Sequence, residues 1–268
     1  MYPELFRIGP VVVSSYGLML ATAFMVGMYL TTRLVRQRNM DEDAVVNLAF
    51  GIIISAIVGS RLLYVLTHLS EFEGRWQYTF LPIQPDGSIG LSGLIFLGGF
   101  IGAVITGYIY VRMKKLPVWK TADSVAPSLA LGLAFGRIGC FLNGCCFGRA
   151  CDLPWGVQFP VGSPATAFMG DVHLHPTQLY SSAYALLIFA LLIWMNHKKM
   201  ADGIMAGTFL VLYGLSRFTV DFFRYYESQM QVGPLYMNQV ISIILILGGL
   251  LIIWQSRQKE SAKSAITS

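Results

Sequence analysis

The chain has 268 residues, of which 55% are hydrophobic and only 12% are charged, and its formal net charge is +5. A soluble domain typically carries about 25% charged residues, so the composition excludes an ordinary soluble enzyme, a disordered chain and a nucleic-acid-binding domain. The mean hydropathy of +0.60 indicates a polytopic α-helical membrane protein.

Seven apolar stretches are long enough to cross a bilayer as helices, which takes about 20 predominantly apolar residues each. In chain order they cover approximately residues 11–32, 44–67, 91–111, 123–143, 176–195, 203–223 and 238–254. We therefore predict an all-α membrane protein with about seven transmembrane helices. It would form a single integral-membrane domain over residues 1–255, followed by a polar cytoplasmic tail over 256–268.

The basic residues predict the orientation of these helices. Twelve of the 19 Lys and Arg residues follow the first, third, fifth and seventh stretches, at one end of the predicted bundle. Short loops rich in Lys and Arg remain in the cytoplasm. We therefore expect the N-terminus outside, the C-terminus in the cytoplasm, and the longest loop, roughly 144–175, outside.

Five charged residues within or next to the predicted helices are candidates for a functional site. Arg61 is in the second stretch and Arg137 in the fourth, while Arg217, Asp221 and Arg224 share one face of the sixth at i, i+4 and i+7. A buried charge is costly in a bilayer and marks a partner, a cavity or a ligand. Arg217 and Asp221 can form an internal ion pair, but one carboxylate cannot neutralise four arginines. The excess of guanidinium groups favours a phosphate ligand, and a phospholipid headgroup is the nearest source. For Arg224, an interfacial position with its charge reaching water is an equally good account.

Glycines and one histidine are further candidates. Gly98 and Gly99 lie in a G-x-x-x-G pattern of the third stretch, which favours tight helix packing and would also allow a ligand to approach the backbone. His175 begins the fifth stretch, where it could accept a proton or cap the helix.

All four cysteines fall within twelve residues, at Cys140, Cys145, Cys146 and Cys151. The predicted topology places them in an oxidising compartment, where disulfides persist. The C-x-x-C spacing typical of zinc and iron–sulfur sites is absent. A local disulfide or a set of small buried side chains is therefore preferred to a metal site, and a redox role is the minority interpretation.

Six segments together resemble the phosphatidylglycerol–prolipoprotein diacylglyceryl transferase family. In order they are SSYGLML, VGSRLLYVL, GLIFLGGFIG, GRIGCFLNGCCFGR, HPTQLY and RFTVDFFR. Positions that match the family pattern are Arg137, Asn143, Gly148, Arg217 and Arg224. The chain departs from the pattern at Cys140, where the family has Asn, at Cys145, where it has Glu, at Leu97, where it has His, and at Asp221, where it has Glu.

The resemblance implies transfer of a diacylglyceryl group from phosphatidylglycerol to the lipobox cysteine of a prolipoprotein, with release of glycerol 1-phosphate. It assigns Arg137 and Arg217 to the phosphate, with Asp221 orienting Arg217. The other candidates for substrate binding are Tyr16, Arg61, Gly98, Gly99, Asn143, His175 and Arg224. The implied location is the bacterial cytoplasmic (inner) membrane, with membrane lipids and prolipoproteins as partners and no nucleic acid. No metal or organic cofactor is expected, since the reaction has no redox step.

Two other classes of function remain open from the residues. A membrane thiol–disulfide or quinone-linked oxidoreductase would use the cysteines from Cys140 to Cys151. A transporter is the second alternative, although the sequence shows no internal repeat, and Asp221 is the only acidic residue well inside a predicted span.

Overall fold

The computed structural model describes residues 4–8, 11–72, 95–198, 200–226, 231–232 and 235–267. These residues are mostly helical. The helices are α1 (Ser15–Gln37), α2 (Glu42–Thr67), α3 (Phe96–Met113), α4 (Val118–Asn143), α5 (Pro164–Met169), α6 (Thr177–Asn196), α7 (Ile204–Asp221) and α8 (Met237–Thr267). A single 3-10 turn covers Leu69–Phe72.

The strands are short and form two-stranded sheets, within the part of the chain that is described. They are β1 (Glu4–Ile8), β2 (Val11–Ser14), β3 (Val157–Gln158), β4 (His173–Leu174), β5 (Gln231–Val232) and β6 (Leu235–Tyr236). Each odd-numbered strand pairs with the next strand along the chain.

Each of the seven predicted stretches overlaps one long helix, so the all-helical prediction is confirmed. Five helices are long and apolar enough to cross a membrane, namely α1, α2, α4, α6 and the first 26 residues of α8, while α3 is a shorter apolar helix. The count of seven spans and the orientation remain predictions. Residues 91–94 of the third predicted stretch lie outside the described residues.

Two boundaries differ from the prediction. Residues 11–14 were expected in the first helix but form β2, because three consecutive valines favour an extended backbone. The hydroxyl of Ser14 then accepts a hydrogen bond from the amide of Gly17 at 3.0 Å and caps α1. At the other end, α8 continues through Ser256 to Thr267, so most of the polar tail is helical.

The chain divides into two compact units. The first contains Val13–Leu34 and Trp119–Ser268 together with the N-terminal Met1–Leu5, and the second contains Phe6–Val12 and Val35–Val118. A single domain over 1–255 remains a prediction.

The core of the first unit lies between α4, α6 and α7. Its buried members are Ala126, Ala130, Ile188, Leu192, Met195, Met205 and Phe209. A buried carboxylate sets the position of α7 against α4, because Asp123 accepts hydrogen bonds from the amides of Gly203 and Ala206, both at 2.8 Å. These are amide groups at the helix N-terminus that have no partner within the helix.

In the second unit, α2 and α3 pack through glycines. An added Cβ at Gly98 would overlap the backbone carbonyl of Gly59, and one at Gly102 would lie 2.5 Å from the carbonyl oxygen of Ser55. Gly99 similarly faces the hydroxyl of Ser60. The predicted role of this glycine pattern in helix packing is therefore confirmed, while substrate binding by Gly98 or Gly99 stays a prediction.

Candidate active site

A small cavity, with a volume of about 20 Å³, lies between α4, α6 and α7 in the first unit. Its walls are Ala130, Leu133, Arg137, Ser181, Ala185, Ile188, Phe209, Tyr213, Ser216 and Arg217. The arginine and serine side chains of the lining lie toward one end of each helix. Arg137 is near the C-terminal end of α4, Ser216 and Arg217 are near the C-terminal end of α7, and Ser181 is near the N-terminal end of α6. The cavity therefore has a cationic end and an apolar end.

Arg217 is held at the cationic end by a network of polar groups. Its Nη1 lies 2.9 Å from Oδ1 of Asp221, which is fully buried. Its Nη2 donates to the phenol oxygen of Tyr226 at 2.6 Å, and the Tyr226 hydroxyl donates to Asp221 Oδ1 at 2.7 Å. The side-chain amide of Asn238 donates to the same phenol oxygen at 3.1 Å. The predicted ion pair is present, and Tyr226 and Asn238 extend it.

Burial raises the pKa of Tyr226, although the positive charges of Arg217 and Arg224 act in the opposite direction. The phenol therefore stays protonated at neutral pH and keeps its proton for the hydrogen bond to Asp221. Sequence analysis missed Tyr226 because it follows α7 and belongs to no motif quoted above. The only signal was its position two residues beyond Arg224.

Positive charge exceeds negative charge in this region. The guanidinium of Arg224 lies 5.3 Å from the centre of the Tyr226 ring. Nη2 of Arg149 donates to the hydroxyl of Tyr236 at 2.9 Å, and the centre of the Tyr236 ring lies 5.1 Å from that of Tyr226, with the two rings tilted. Among the described residues, Asp221 is the acidic partner of Arg217. Arg137 and Arg224 both lie in electrostatic range of Cys146. This arrangement suits an anionic ligand.

The loop after α4 is tied to two other helices. The Thr177 hydroxyl and the Gln178 side-chain amide, both buried at the start of α6, donate to the carbonyls of Cys146 at 3.0 Å and Cys145 at 2.7 Å. The amide of Gly148 donates to the His175 carbonyl at 3.0 Å. A Cβ at Gly148 would lie 2.5 Å from that of His175, so only glycine fits there without a shift.

A further bond joins this loop to the end of α7, where the amide of Arg149 donates to the Phe223 carbonyl at 2.9 Å. The loop thus holds the ends of α4, α6 and α7 together. These are the ends that carry the polar lining of the cavity.

Three other predicted residues lie near these ends. His175 Nδ1 is 3.2 Å from the Tyr180 hydroxyl, and its ring packs 5.2 Å from that of Phe223. The Asn143 side chain contacts the Cys145 thiol. Tyr16, which is 38% exposed, packs against Gly139 and lies in electrostatic range of Arg137.

Arg61, by contrast, belongs to the second unit with Gly98 and Gly99. Its guanidinium lies 5.7 Å from the ring centre of Tyr64 and 5.3 Å from that of Phe72. These contacts account for a guanidinium within an apolar helix, and a role for Arg61 in substrate binding stays a prediction.

Three of the four cysteines lie close together, and Cys151 lies apart from them. The sulfurs of Cys140, Cys145 and Cys146 all lie within 4.8 Å of one another, and none of the four cysteines is disulfide-bonded in this structure. Hydrogen bonds from Cys140 and Cys145, followed by the charges of Arg224 and Arg137, lower the pKa of Cys146. Cys151 instead lies beside Gly156 in the loop.

Comparison with known proteins identifies the family. The family model for prolipoprotein diacylglyceryl transferases matches residues 3–255. A phosphatidylglycerol–prolipoprotein diacylglyceryl transferase of Synechococcus elongatus is 34% identical, over 98% of this chain and 91% of the relative.

Transferases of the same name from two other organisms are equally similar. The protein of Clostridium tetani is 34% identical over 94% of this chain and 96% of its own length. That of Pseudoalteromonas translucida is 34% identical over 97% of this chain and 96% of its own length. The chain therefore belongs to the prolipoprotein diacylglyceryl transferase family.

Proposed function

We propose that this protein transfers the diacylglyceryl group of phosphatidylglycerol to the thiol of a lipobox cysteine in prolipoproteins and releases glycerol 1-phosphate. The observation that carries the proposal is the pair Arg137 and Arg217 at one end of an otherwise apolar cavity. The names of the relatives supply the substrates, phosphatidylglycerol and a prolipoprotein.

The cavity matches the chemistry of a phospholipid. Arg137 and Arg217 would bind the phosphate, since the planar guanidinium group offers two parallel N–H donors to phosphate oxygens. Leu133, Ile188 and Phe209 would contact an acyl chain at the apolar end. The polar and apolar walls match the two parts of the lipid, and the helices would have to move apart to admit it.

Asp221 and Tyr226 act on Arg217 and do not contact the phosphate. Asp221 accepts from Tyr226 and pairs with Arg217, while Tyr226 also receives a hydrogen bond from Arg217. These contacts restrict the guanidinium to one orientation before the lipid binds. Fixed donors of this kind need no reorganisation when charge develops during the reaction.

The reaction forms a carbon–sulfur bond and breaks a carbon–oxygen bond. The acceptor thiol loses its proton, its sulfur attacks the glyceryl carbon next to the phosphate ester, and the bonding electron pair leaves with the phosphate oxygen. Arg137 and Arg217 stabilise the charge that accumulates on the phosphate. Tyr16, Asn143, His175 and Arg224 are the remaining candidates for contacts to the headgroup or the peptide.

The test is to incubate the purified protein with phosphatidylglycerol and a synthetic lipobox peptide and to determine the mass of the peptide. We expect an increase equal to one diacylglyceryl group on the cysteine. A peptide with serine in place of the cysteine is the matched control and should remain unmodified. An unmodified cysteine peptide, under conditions in which a known transferase is active, would contradict the proposal.

We also propose that all seven long helices span the bacterial cytoplasmic membrane, with the N-terminus outside. The asymmetry of basic residues and the five apolar helices support this arrangement. It can be tested with Val161→Cys, since Val161 is 91% exposed in the loop between α4 and α6, and with Ser261→Cys on the exposed end of α8.

An impermeant thiol reagent applied to intact cells should label the first variant above the level of the unsubstituted protein. The second should become labelled only after the membrane is permeabilised. The reverse pattern would contradict both the orientation and an active site at the outer leaflet. We do not retain the oxidoreductase and transporter alternatives, since the relatives described above are all named as transferases.

A further inference from the structure

Cys140, Cys145 and Cys146, called here the thiol cluster, have no role in the proposed phosphate site. Their sulfurs lie within 4.8 Å of one another and are half-buried. Thiolates that bind zinc tetrahedrally, each about 2.3 Å from the metal, lie about 3.8 Å from one another. The cluster therefore needs to contract by only about an ångström to satisfy this geometry, which side-chain rotation can provide.

The backbone holds the three sulfurs together. Cys140 is in the last turn of α4, and the chain then reverses at Gly144, whose φ is +72°, so that the amide of Cys145 donates to the Cys140 carbonyl at 3.1 Å. Cys146 itself has a φ of +63°, a conformation that residues other than glycine seldom adopt. Such strained residues are concentrated at functional sites.

The start of α6 fixes the same turn from outside. Gln178 and Thr177, each about 1% exposed, donate to the carbonyls of Cys145 and Cys146. The backbone of the two neighbouring cysteines therefore cannot move away from Cys140 without breaking these buried hydrogen bonds. The backbone of the thiol cluster is held in place before any ligand binds, while the side chains remain able to rotate.

Two positive charges lie near the cluster. Arg137 and Arg224 both lie in electrostatic range of Cys146. Their two positive charges offset part of the negative charge of three thiolates. A divalent metal ion would supply the rest, and thiolate sulfur is a soft ligand that selects zinc over magnesium or calcium.

The number of ligands limits the kind of site. Cys151 is not part of the thiol cluster, so within the described residues the cluster offers three sulfurs, whereas iron–sulfur clusters are typically held by four. A disulfide between two of the three sulfurs would leave the third as a free thiol, so it would not use the whole cluster. Three protein ligands with one open position are instead typical of catalytic zinc sites.

We propose that the thiol cluster binds a thiophilic divalent metal ion of the zinc type and leaves one coordination position open for the acceptor thiol of the transfer reaction. The second part rests on the proposed function. Coordination of the acceptor thiol provides the thiolate that the reaction needs, because a thiol that coordinates such a metal is deprotonated.

The acceptor thiol releases its proton to solvent when its sulfur binds the metal ion. A sulfur electron pair then forms the bond to the glyceryl carbon, and the electron pair of the broken carbon–oxygen bond leaves with the phosphate. The thioether product coordinates weakly and dissociates. Arg137 lines the proposed phosphate site and is also in electrostatic range of the thiol cluster, so nucleophile and electrophile would be neighbours.

The first test measures metal binding to the purified full-length protein without lipid. Co²⁺ is the probe, because tetrahedral coordination by thiolates gives intense visible and near-ultraviolet absorption. We expect one Co²⁺ per chain with sulfur-to-cobalt charge-transfer bands, displaced by Zn²⁺ and unaffected by Mg²⁺. If the wild-type protein binds no stoichiometric Co²⁺, or if it binds Co²⁺ without these bands, the proposal is wrong.

Variants locate the site. Cys145→Ser, and separately Cys140→Ser, should lose most of the charge-transfer absorption, whereas Cys151→Ser is the matched control and should retain it. Equal loss in all three variants, with each protein extracted in normal yield, would contradict the assignment.

The second test asks whether the open position takes a thiol. Adding a lipobox peptide should shift the cobalt bands, and the same peptide with serine in place of cysteine should leave them unchanged. No shift with the cysteine peptide overturns the open position. The transfer assay with phosphatidylglycerol is run in parallel: a cobalt response without transfer contradicts the proposed function, and transfer without a cobalt response contradicts the metal site.

Discussion

The apolar helices α7 and α2 each carry one arginine near the C-terminal end, and the surroundings of these two arginines are very different. Arg217 on α7 contacts Asp221 and Tyr226 and lines a cavity. Arg61 on α2 lies over the aromatic rings of Tyr64 and Phe72. Polar contacts orient the first guanidinium toward a space that a ligand can enter, whereas ring contacts stabilise the second within its own unit.

The glycines of the two units show the same contrast. Gly98 on α3 approaches the backbone of α2 so closely that a methyl group cannot be inserted, whereas Gly132 on α4 has open space around it. A charge or a glycine in an apolar helix is thus ambiguous until its neighbours are known. The following substitutions test whether the two regions differ in function as they do in contacts.

The largest effect is expected from Arg217→Gln and Arg137→Gln. Loss of one charged donor to the transition state typically lowers the rate by about 10²- to 10³-fold. Lysine should restore little activity at either position, because its ammonium group cannot make two parallel hydrogen bonds. Transfer to the lipobox peptide is the measurement, with Arg257→Gln on the exposed end of α8 as the control. Full activity in either glutamine variant would exclude the proposed phosphate site.

Gly98→Ala should destabilise the packing of α2 on α3. Forcing an extra methyl group into a well-packed contact typically costs about 1–3 kcal/mol, and the nearest obstacle here is backbone that cannot rotate away. Thermal unfolding in detergent gives the loss of stability. Gly132→Ala is the matched control and should be neutral or stabilising, since alanine favours helix. Equal destabilisation by both would show that the close approach is not the cause.

Tyr226→Phe should lower the rate of transfer about tenfold or more, because a hydrogen bond to a charged group contributes about 1.5–3 kcal/mol and about 1.4 kcal/mol corresponds to a factor of ten. The phenol joins Arg217, Asp221 and Asn238, and without it Arg217 is less restricted. Lipid affinity and maximal rate, measured separately, should both change. Tyr184→Phe, at an exposed position of α6, should have no effect.

The smallest effect is expected from Arg61→Leu. Each cation–π contact contributes about 0.5–1 kcal/mol at an exposed site, and leucine retains the apolar part of the side chain. We expect slightly reduced thermal stability and nearly unchanged transfer by the stable fraction. A loss of transfer comparable to that of Arg217→Gln would place Arg61 in substrate binding and remove the contrast between the two regions.

The sequence alone determined the helices and the candidate ion pair. The length of an apolar run is a local property, so seven apolar stretches predicted seven long helices. The spacing of Arg217 and Asp221 at i, i+4 likewise predicted their contact. The boundary at Ser15 was wrong by one turn, because the competing preference of valine for extended backbone is equally local.

Only the tertiary structure decided which distant residues meet. Arg137 and Arg217 share a cavity because α4, α6 and α7 pack side by side, and no spacing within one helix encodes that packing. Tyr226 joins the site because the chain turns back after α7, and the three cysteines meet because left-handed residues reverse the chain after α4. Packing between helices depends on side chains far apart in the sequence, and for this reason the apolar runs predicted the elements and not the site.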